Sequence, residues 1–135
     1  MKKIVCILTL VITLTKFTCN AMEMGQIASQ AVVNNATETT FIYWTSQVQT
    51  YTTGGVTFTY PGNLFLSSIF TSAPLALISV APLASHPDTE TYTAEISNNS
   101  ATSATVMVYL VDSLTSTVSE APNGSVEVCF LALGS

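Results

Sequence analysis

Short runs in which apolar and polar residues alternate recur along the chain. In the runs at 56–60 and 91–96 every second residue is apolar, and Gly54-Gly55 and Pro61-Gly62 place turn residues on either side of the first run. This alternation is typical of β-strands that bury one face, and it predicts an inward-facing set of Val56, Phe58, Tyr60, Tyr92, Ala94 and Ile96. The spacing of the runs predicts an all-β fold, a small antiparallel β-sandwich over residues 41–135.

Three further runs, at 75–80, 105–111 and 126–133, are apolar on both faces. An antiparallel strand with one buried face should carry polar residues on the other face. Large apolar patches are rare on monomers, so the second apolar face predicts subunit association, and a closed homotrimer is the expected form. A small barrel, or a loop that folds over the sheet, would also cover such a face.

Residues 22–40 are expected to form a stem or linker ahead of the sandwich. Apolar residues recur here at helical spacing, namely Met24, Ile27, Ala28, Ala31 and Val32. The segment is short for an isolated helix, and Gly25 weakens it further. The prediction is therefore a short helical or extended stem, with a loose chain terminus as the alternative.

The first residues have the three parts of a secretory signal peptide. Lys2 and Lys3 precede an uncharged, apolar-rich run at 4–15, and small residues follow near Ala21. The run is too short to span a bilayer, which needs about 20 residues. Residues 1–21 are thus predicted to be a signal peptide cleaved after Ala21, and the mature protein is expected to be secreted or to lie at the cell surface.

Every permanent cation of the chain lies in that leader. Lys2, Lys3 and Lys16 are the only lysines and arginine is absent, so removing these three charges takes the formal net charge from −5 to −8. Nucleic acids and anionic membrane surfaces are bound mainly through lysine and arginine. Both are excluded as partners of the mature protein, and no cofactor is indicated.

Cys129 is the only cysteine beyond residue 21. A single thiol forms no internal disulfide, and the apolar residues around it in sequence predict a buried free thiol. A bridge between two subunits is the alternative.

Neither an enzyme nor a metal site is predicted. The only histidine, His86, has Ser85 and Asp88 as near neighbours, whereas a catalytic triad draws its members from separated parts of a fold. His86, Asp88 and Glu90 are spaced by two, as ligands on an extended segment would be. Pro87 interrupts that regularity, so a solvated loop is the favoured interpretation.

Four residues are the candidates for ligand binding: Trp44, His86, Asp88 and Tyr92. Aromatic rings with a few polar groups suit a neutral, hydroxyl-rich ligand. The competing interpretation of Trp44, the only tryptophan, is a core residue, because large aromatic side chains mostly supply burial.

The second half of the chain resembles a known family. Its parts are GGVTFTYPGNLFLSSIFTSAPLALISVAP, YTAEISNNSATSATVMVYLVD and a closing SVEVCFLALGS, with Phe130, Ala132 and Gly134 in the last strand. This order resembles H-type lectin domains and the related distal domains of phage-type tail fibres over residues 54–135. The resemblance implies a small antiparallel β-sandwich, usually trimeric, that recognises glycans. The family typically contacts sugar with a cationic side chain, which this region lacks, so no binding residue is carried over.

The sequence therefore predicts a secreted, non-catalytic recognition module for a neutral surface ligand such as a glycan, comparable to a lectin or a fibre-tip adhesin. The alternative is a structural subunit of an extracellular fibre or coat. An unpaired apolar edge strand would favour that alternative, because such a strand can pair with a neighbouring chain.

Overall fold

The computed structural model describes residues 23–33, 36–62 and 68–135, so the predicted signal peptide lies outside the described residues. Those residues form strands and no helix. The strands are β1 (Glu23–Val33), β2 (Ala36–Thr50), β3 (Val56–Thr59), β4 (Leu75–Pro82), β5 (Glu90–Asn99), β6 (Ser103–Asp112), β7 (Thr117–Glu120) and β8 (Val126–Gly134).

The strands form two antiparallel sheets that pack face to face. Sheet A has the order β1-β2-β8-β4. Sheet B has the order β3-β6-β5, and β7 pairs with the second half of β6, beyond the residues that pair with β3. The predicted all-β antiparallel architecture is confirmed, and the homotrimer stays a prediction.

The core lies between the sheets and draws side chains from both. Phe130 of β8 stacks on Phe58 of β3 with ring centroids 4.8 Å apart, and Tyr60 meets Phe70 edge to face at 5.0 Å. Burying a large apolar side chain contributes about 1.5–3 kcal/mol. The predicted inward-facing set is confirmed: Val56, Phe58 and Tyr60 are buried, and Tyr92, Ala94 and Ile96 pack partly buried against them.

Residues Glu23–Val33 form an edge strand of sheet A, so the helical prediction for this segment is wrong. β1 pairs along its length with β2, from Glu23 opposite Ser46 to Val33 opposite Ala36. A helix this short is marginal on its own, whereas the ladder with β2 gives the backbone N–H and C=O groups partners. Because β8 ends opposite Tyr43, the β1–β2 hairpin continues beyond the rest of the sheet.

Two loops at the end of the sandwich remote from that hairpin are tied together by side chains. Glu120 accepts a hydrogen bond from the Tyr51 hydroxyl at 2.7 Å and another from the Gly54 N–H. These two donors, the Gly54 N–H first, lower the pKa of Glu120, whereas burial and the same carboxylate raise the pKa of Tyr51. The Asn123 side-chain oxygen accepts from the Thr53 hydroxyl at 2.8 Å. The loop that follows β2 and the loop that precedes β8 are thereby held together.

Candidate functional site

The outer face of sheet A carries an apolar patch. Side chains alternate across a sheet, so the residues between the core-facing ones point away from sheet B. Leu75 and Leu77 of β4 lie opposite Leu133 and Leu131 of β8. On β2, Trp44 lies opposite Leu133, and Val48 lies opposite Cys129 in a neighbouring outward-facing row. We call these residues the sheet A patch: Trp44, Val48, Leu75, Leu77, Leu131 and Leu133.

The patch is open along β4 and more covered towards β2. Leu75 and Leu77 are 66% and 52% exposed, whereas Ser46, on the same face of β2, is 8% exposed. β4 is an edge strand of sheet A, and its sequence LALISVAP contains no charge and only a terminal proline. Edge strands usually carry charges, prolines or bulges that prevent pairing with another chain. Along most of its length, β4 lacks these protections.

Trp44 belongs to this outer face and not to the core, so its interpretation as a core residue is wrong. It pairs with Gly25 of β1 on one side and with Leu133 of β8 on the other. A Cβ atom placed on Gly25 would collide with the Trp44 indole ring, so the glycine allows the ring to lie over the backbone of β1. The ring is partly exposed and is available to a partner at this face.

The exposure and the oxidation state of Cys129 also differ from the prediction. It alternates with the buried Val128 and Phe130 and is only partly buried on the outer face, in the row of Ser79 and Val48. It is disulfide-bonded. The expectation of a buried free thiol is therefore wrong, because the strand alternation points this side chain away from the core.

The other three candidate binding residues lie at or beside the loop between β4 and β5. The His86 ring meets the Tyr92 ring edge to face, with centroids 5.5 Å apart. His86 Nδ1 lies 3.1 Å from the carbonyl oxygen of Pro87, and Asp88 is exposed in the same loop. The structure therefore brings His86 and Tyr92 into contact, with Asp88 nearby in the chain.

Trp44 is remote from these three residues. It pairs with Leu133 near the end of β8, whereas Leu83, at the start of the β4–β5 loop, hydrogen-bonds to Ser125 just before β8 begins. At about 3.3 Å per residue, these two rows are separated by about 25 Å along the strand. One small ligand would not contact Trp44 and His86 together.

A shallow cavity that the sequence did not indicate lies beside the β1–β2 hairpin. It has a volume of about 240 Å³ and is lined by Met24, Gly25, Gln26, Tyr43, Gly62 and Ile69. Ligand pockets are commonly about 300–1,000 Å³, so this one is small. It could be found only once β1 was known to be a strand, because its walls come from three separate parts of the chain.

Within 23–33, 36–62 and 68–135, no group of three His, Cys, Asp or Glu side chains is placed to hold a metal ion. In the same ranges, the structure has no helix of the length and hydrophobicity that crossing a membrane requires.

No family model matches the chain, and neither a curated protein nor a solved structure matches it. The resemblance to H-type lectin domains stays a prediction from the sequence.

Proposed function

We propose that the chain is an exported, non-catalytic β-sandwich subunit that assembles with copies of itself into an extracellular coat or fibre. The observation that carries this proposal is the exposure of Leu75 and Leu77 on the unprotected edge strand β4. A second copy covers both features at once, because it can pair with the strand edge and bury the leucines beside it.

The energetics favour such an association. The outward side of the β4 backbone offers hydrogen-bonding groups to another extended strand. Each leucine removed from water adds about 1.5–3 kcal/mol. The absence of charge from β4 means that no ion must be desolvated when the strand becomes buried.

Export is supported by the composition of the leader. The basic start and the apolar run at 4–15 provide the signal that would direct the chain out of the cytosol.

Light scattering of the purified full chain over a range of concentrations, combined with electron microscopy, tests the assembly. We expect a species larger than the 14.3 kDa chain. A mass that grows with concentration indicates the open polymer that a fibre or coat requires, whereas a fixed mass of three chains indicates a closed trimer and favours the lectin-like module instead. A monomer at all concentrations contradicts the proposal.

A second function, recognition of a neutral glycan, is favoured by the contact between His86 and Tyr92 at an exposed loop. An aromatic ring in contact with an imidazole, with the exposed carboxylate of Asp88 in the same loop, suits a hydroxyl-rich ligand. A glycan array probed with the full chain tests it, together with alanine variants of His86, Asp88, Tyr92 and Trp44. We expect loss of binding in the first three and little dependence on salt. Binding that survives all four changes places the ligand elsewhere, and an array without binding removes this function.

A further inference from the structure

Sheet A has a second edge strand besides β4. In the order β1-β2-β8-β4, β1 lies at one end and β4 at the other. Among the described strands, β2 is the only one that β1 contacts extensively. From Met24 to Val33, the side of the β1 backbone away from β2 therefore has no strand beside it in the described part of the chain, as is also the case for the outward side of β4.

We propose that the chain polymerises head to tail, with β4 of one copy pairing with β1 of the next, so that sheet A continues from copy to copy. This inference rests on the proposed self-assembly and deepens it, because it names the surface of the second copy that meets β4.

The directions of the strands fit this pairing. β1 is antiparallel to β2, β2 to β8, and β8 to β4, so β1 and β4 run in opposite directions. A copy shifted sideways without rotation therefore presents its β1 antiparallel to β4, and the alternation continues across the junction. An odd number of alternating strands would have presented a parallel edge, which pairs slightly less stably per residue.

β1 is as poorly protected as β4 against pairing with another chain. Its sequence EMGQIASQAVV contains no proline and a single charge, that of Glu23 at the start. Its ladder with β2 runs without a bulge, and bulges, prolines and charges are the usual protections of an edge. β1 has eleven residues and β4 has eight, so the whole of β4 can be laid along β1.

The start of β1 also offers apolar surface to a neighbour. Met24 is 50% exposed and lines the shallow cavity beside the hairpin. On the outer face, Gly25 allows the Trp44 ring to lie over the backbone of β1, next to the edge. Leu75 and Leu77 of an added β4 strand lie on that same outer face, so the junction would remove apolar side chains of both copies from water.

Pairing of β4 with β4 of a second copy is the competing arrangement. Such a contact is isologous and closes as a dimer, which leaves the β1 edge of both copies exposed. The contact between β4 and β1 uses both edges of every copy, and it continues as an open filament when the copies are related by a shift. It therefore accounts for both edges and provides the open polymer that a fibre or coat requires.

Two edge variants and their mixture test this pairing. Leu77→Asp places a charge on β4 and Met24→Asp places one on β1, and both side chains are about half exposed, so the two full-length variants should fold, as circular dichroism can verify. Each change should weaken self-association about 10-fold or more. At the concentration at which half of the unmutated chains are assembled, each variant alone should therefore be mostly monomeric.

An equimolar mixture of the two variants should instead form a species of two chains and nothing larger. The intact β1 of Leu77→Asp can pair with the intact β4 of Met24→Asp, whereas both remaining edges carry a charge. Sedimentation equilibrium measures the number of chains, and a fluorescent label on one variant shows that the dimer is mixed.

Two further variants are the controls. Gln26→Asp, at another exposed position of β1, should reproduce Met24→Asp. Thr93→Asp adds the same charge to the outer face of sheet B and should assemble like the unmutated chain.

The outcomes separate this pairing from self-assembly itself. Assembly of both β1 variants at the unmutated strength, or a mixture that stays monomeric, would overturn the β4–β1 pairing while leaving self-assembly intact. An unmutated chain that stays monomeric at all concentrations would contradict the proposed function, and the pairing with it.

Discussion

The outer faces of the two sheets arise from the same strand alternation but differ in chemistry. On sheet B, the hydroxyls of Thr57 and Thr105 lie 3.1 Å apart, and Tyr109 donates a hydrogen bond to Glu95 at 2.9 Å. On sheet A the rows beside the β4 edge are leucines. These surface groups of sheet B are partnered by cross-strand hydrogen bonds, whereas the side chains of the sheet A patch are stabilised only when they are removed from water.

This difference teaches how a two-sided apolar run should be interpreted. β6 is as apolar as β8 in sequence, yet the outward residues of its neighbour β5 are Thr91, Thr93 and Glu95. The outward neighbours of β8 are Leu75 and Leu77. A second apolar face therefore forms a continuous patch only where adjacent strands contribute apolar residues to the same rows.

The largest expected effect comes from placing a charge in the core between the two sheets. Val108 is fully buried in the core, so Val108→Asp would bury an unpaired charge at a cost of about 3–5 kcal/mol, by analogy with broken buried ion pairs. That is a large share of a typical folding free energy of about 5–15 kcal/mol. We expect loss of the cooperative unfolding transition in circular dichroism.

Thr93→Asp is the control for that variant, because Thr93 is exposed on the outer face of the adjacent strand β5. It should unfold at nearly the same urea concentration as the unmutated chain. Equal destabilisation by the two changes would contradict the assignment of inner and outer faces.

The next largest effect sharpens the comparison between the outer faces. Leu77→Asp should weaken self-association about 10-fold or more, because one leucine contributes about 1.5–3 kcal/mol of burial. Its unfolding transition should change little, since the side chain is 52% exposed. Sedimentation equilibrium measures the association, and Thr93→Asp on sheet B should leave it unchanged. An association weakened equally by both variants would show that β4 has no special role.

A smaller effect is expected on the free energy of unfolding at high pH, through a tyrosine in the core. Burial raises the pKa of Tyr60 to about 12, whereas a tyrosine in the unfolded chain titrates near 10. Between these values the unfolded state releases a proton that the folded state keeps, so stability falls as the pH rises. Tyr60→Phe should reduce this loss in urea titrations from pH 9 to 12.

The same variant removes the hydrogen bond from the Tyr60 hydroxyl to Asn99, 2.8 Å long, so it should cost about 1 kcal/mol at neutral pH. An unchanged stability slope above pH 10 would indicate that another group titrates there.

The smallest effect on stability is expected from Glu120, whose side chain joins the loop after β2 to the end of β7. Its pKa is lowered by the Gly54 N–H and the Tyr51 hydroxyl from the ordinary value of 4.5. The stability that depends on the charged form is present above this value and is lost as the pH falls through the lower, folded-state pKa. Glu120→Gln should be less stable than the unmutated chain at pH 7, and the difference should shrink in acid. A constant difference from pH 7 to 3 would contradict this assignment.

The sequence predicted the core better than the edges. Alternation at 56–60 and 91–96 identified the inward residues, because burial between two sheets imposes a period of two. It missed β1, whose apolar spacing also fits a helix, and β7, which is only four residues long. Each of these elements is the partner of the neighbouring strand in the chain, β1 of β2 and β7 of β6, and that pairing, not the spacing of its own apolar residues, makes it a strand.

The surroundings of the candidate residues could be predicted only in part. Tyr92 was correctly placed inward, but its contact with His86 depends on the path of the loop after β4. The outward direction of Cys129 was readable from its alternation with Val128 and Phe130. Its disulfide was not, because both other cysteines lie in the part of the chain interpreted as a leader.

Hydrogen–deuterium exchange compares the two sheet edges most directly. The measurement follows the backbone amides of β4 and β5, the edge strands on the same side of sheets A and B, at low and high protein concentration. Assembly through sheet A predicts that β4 amides exchange markedly more slowly at high concentration while β5 amides do not change. Exchange of β4 that is independent of concentration, or protection gained at β5 and not at β4, would contradict the account.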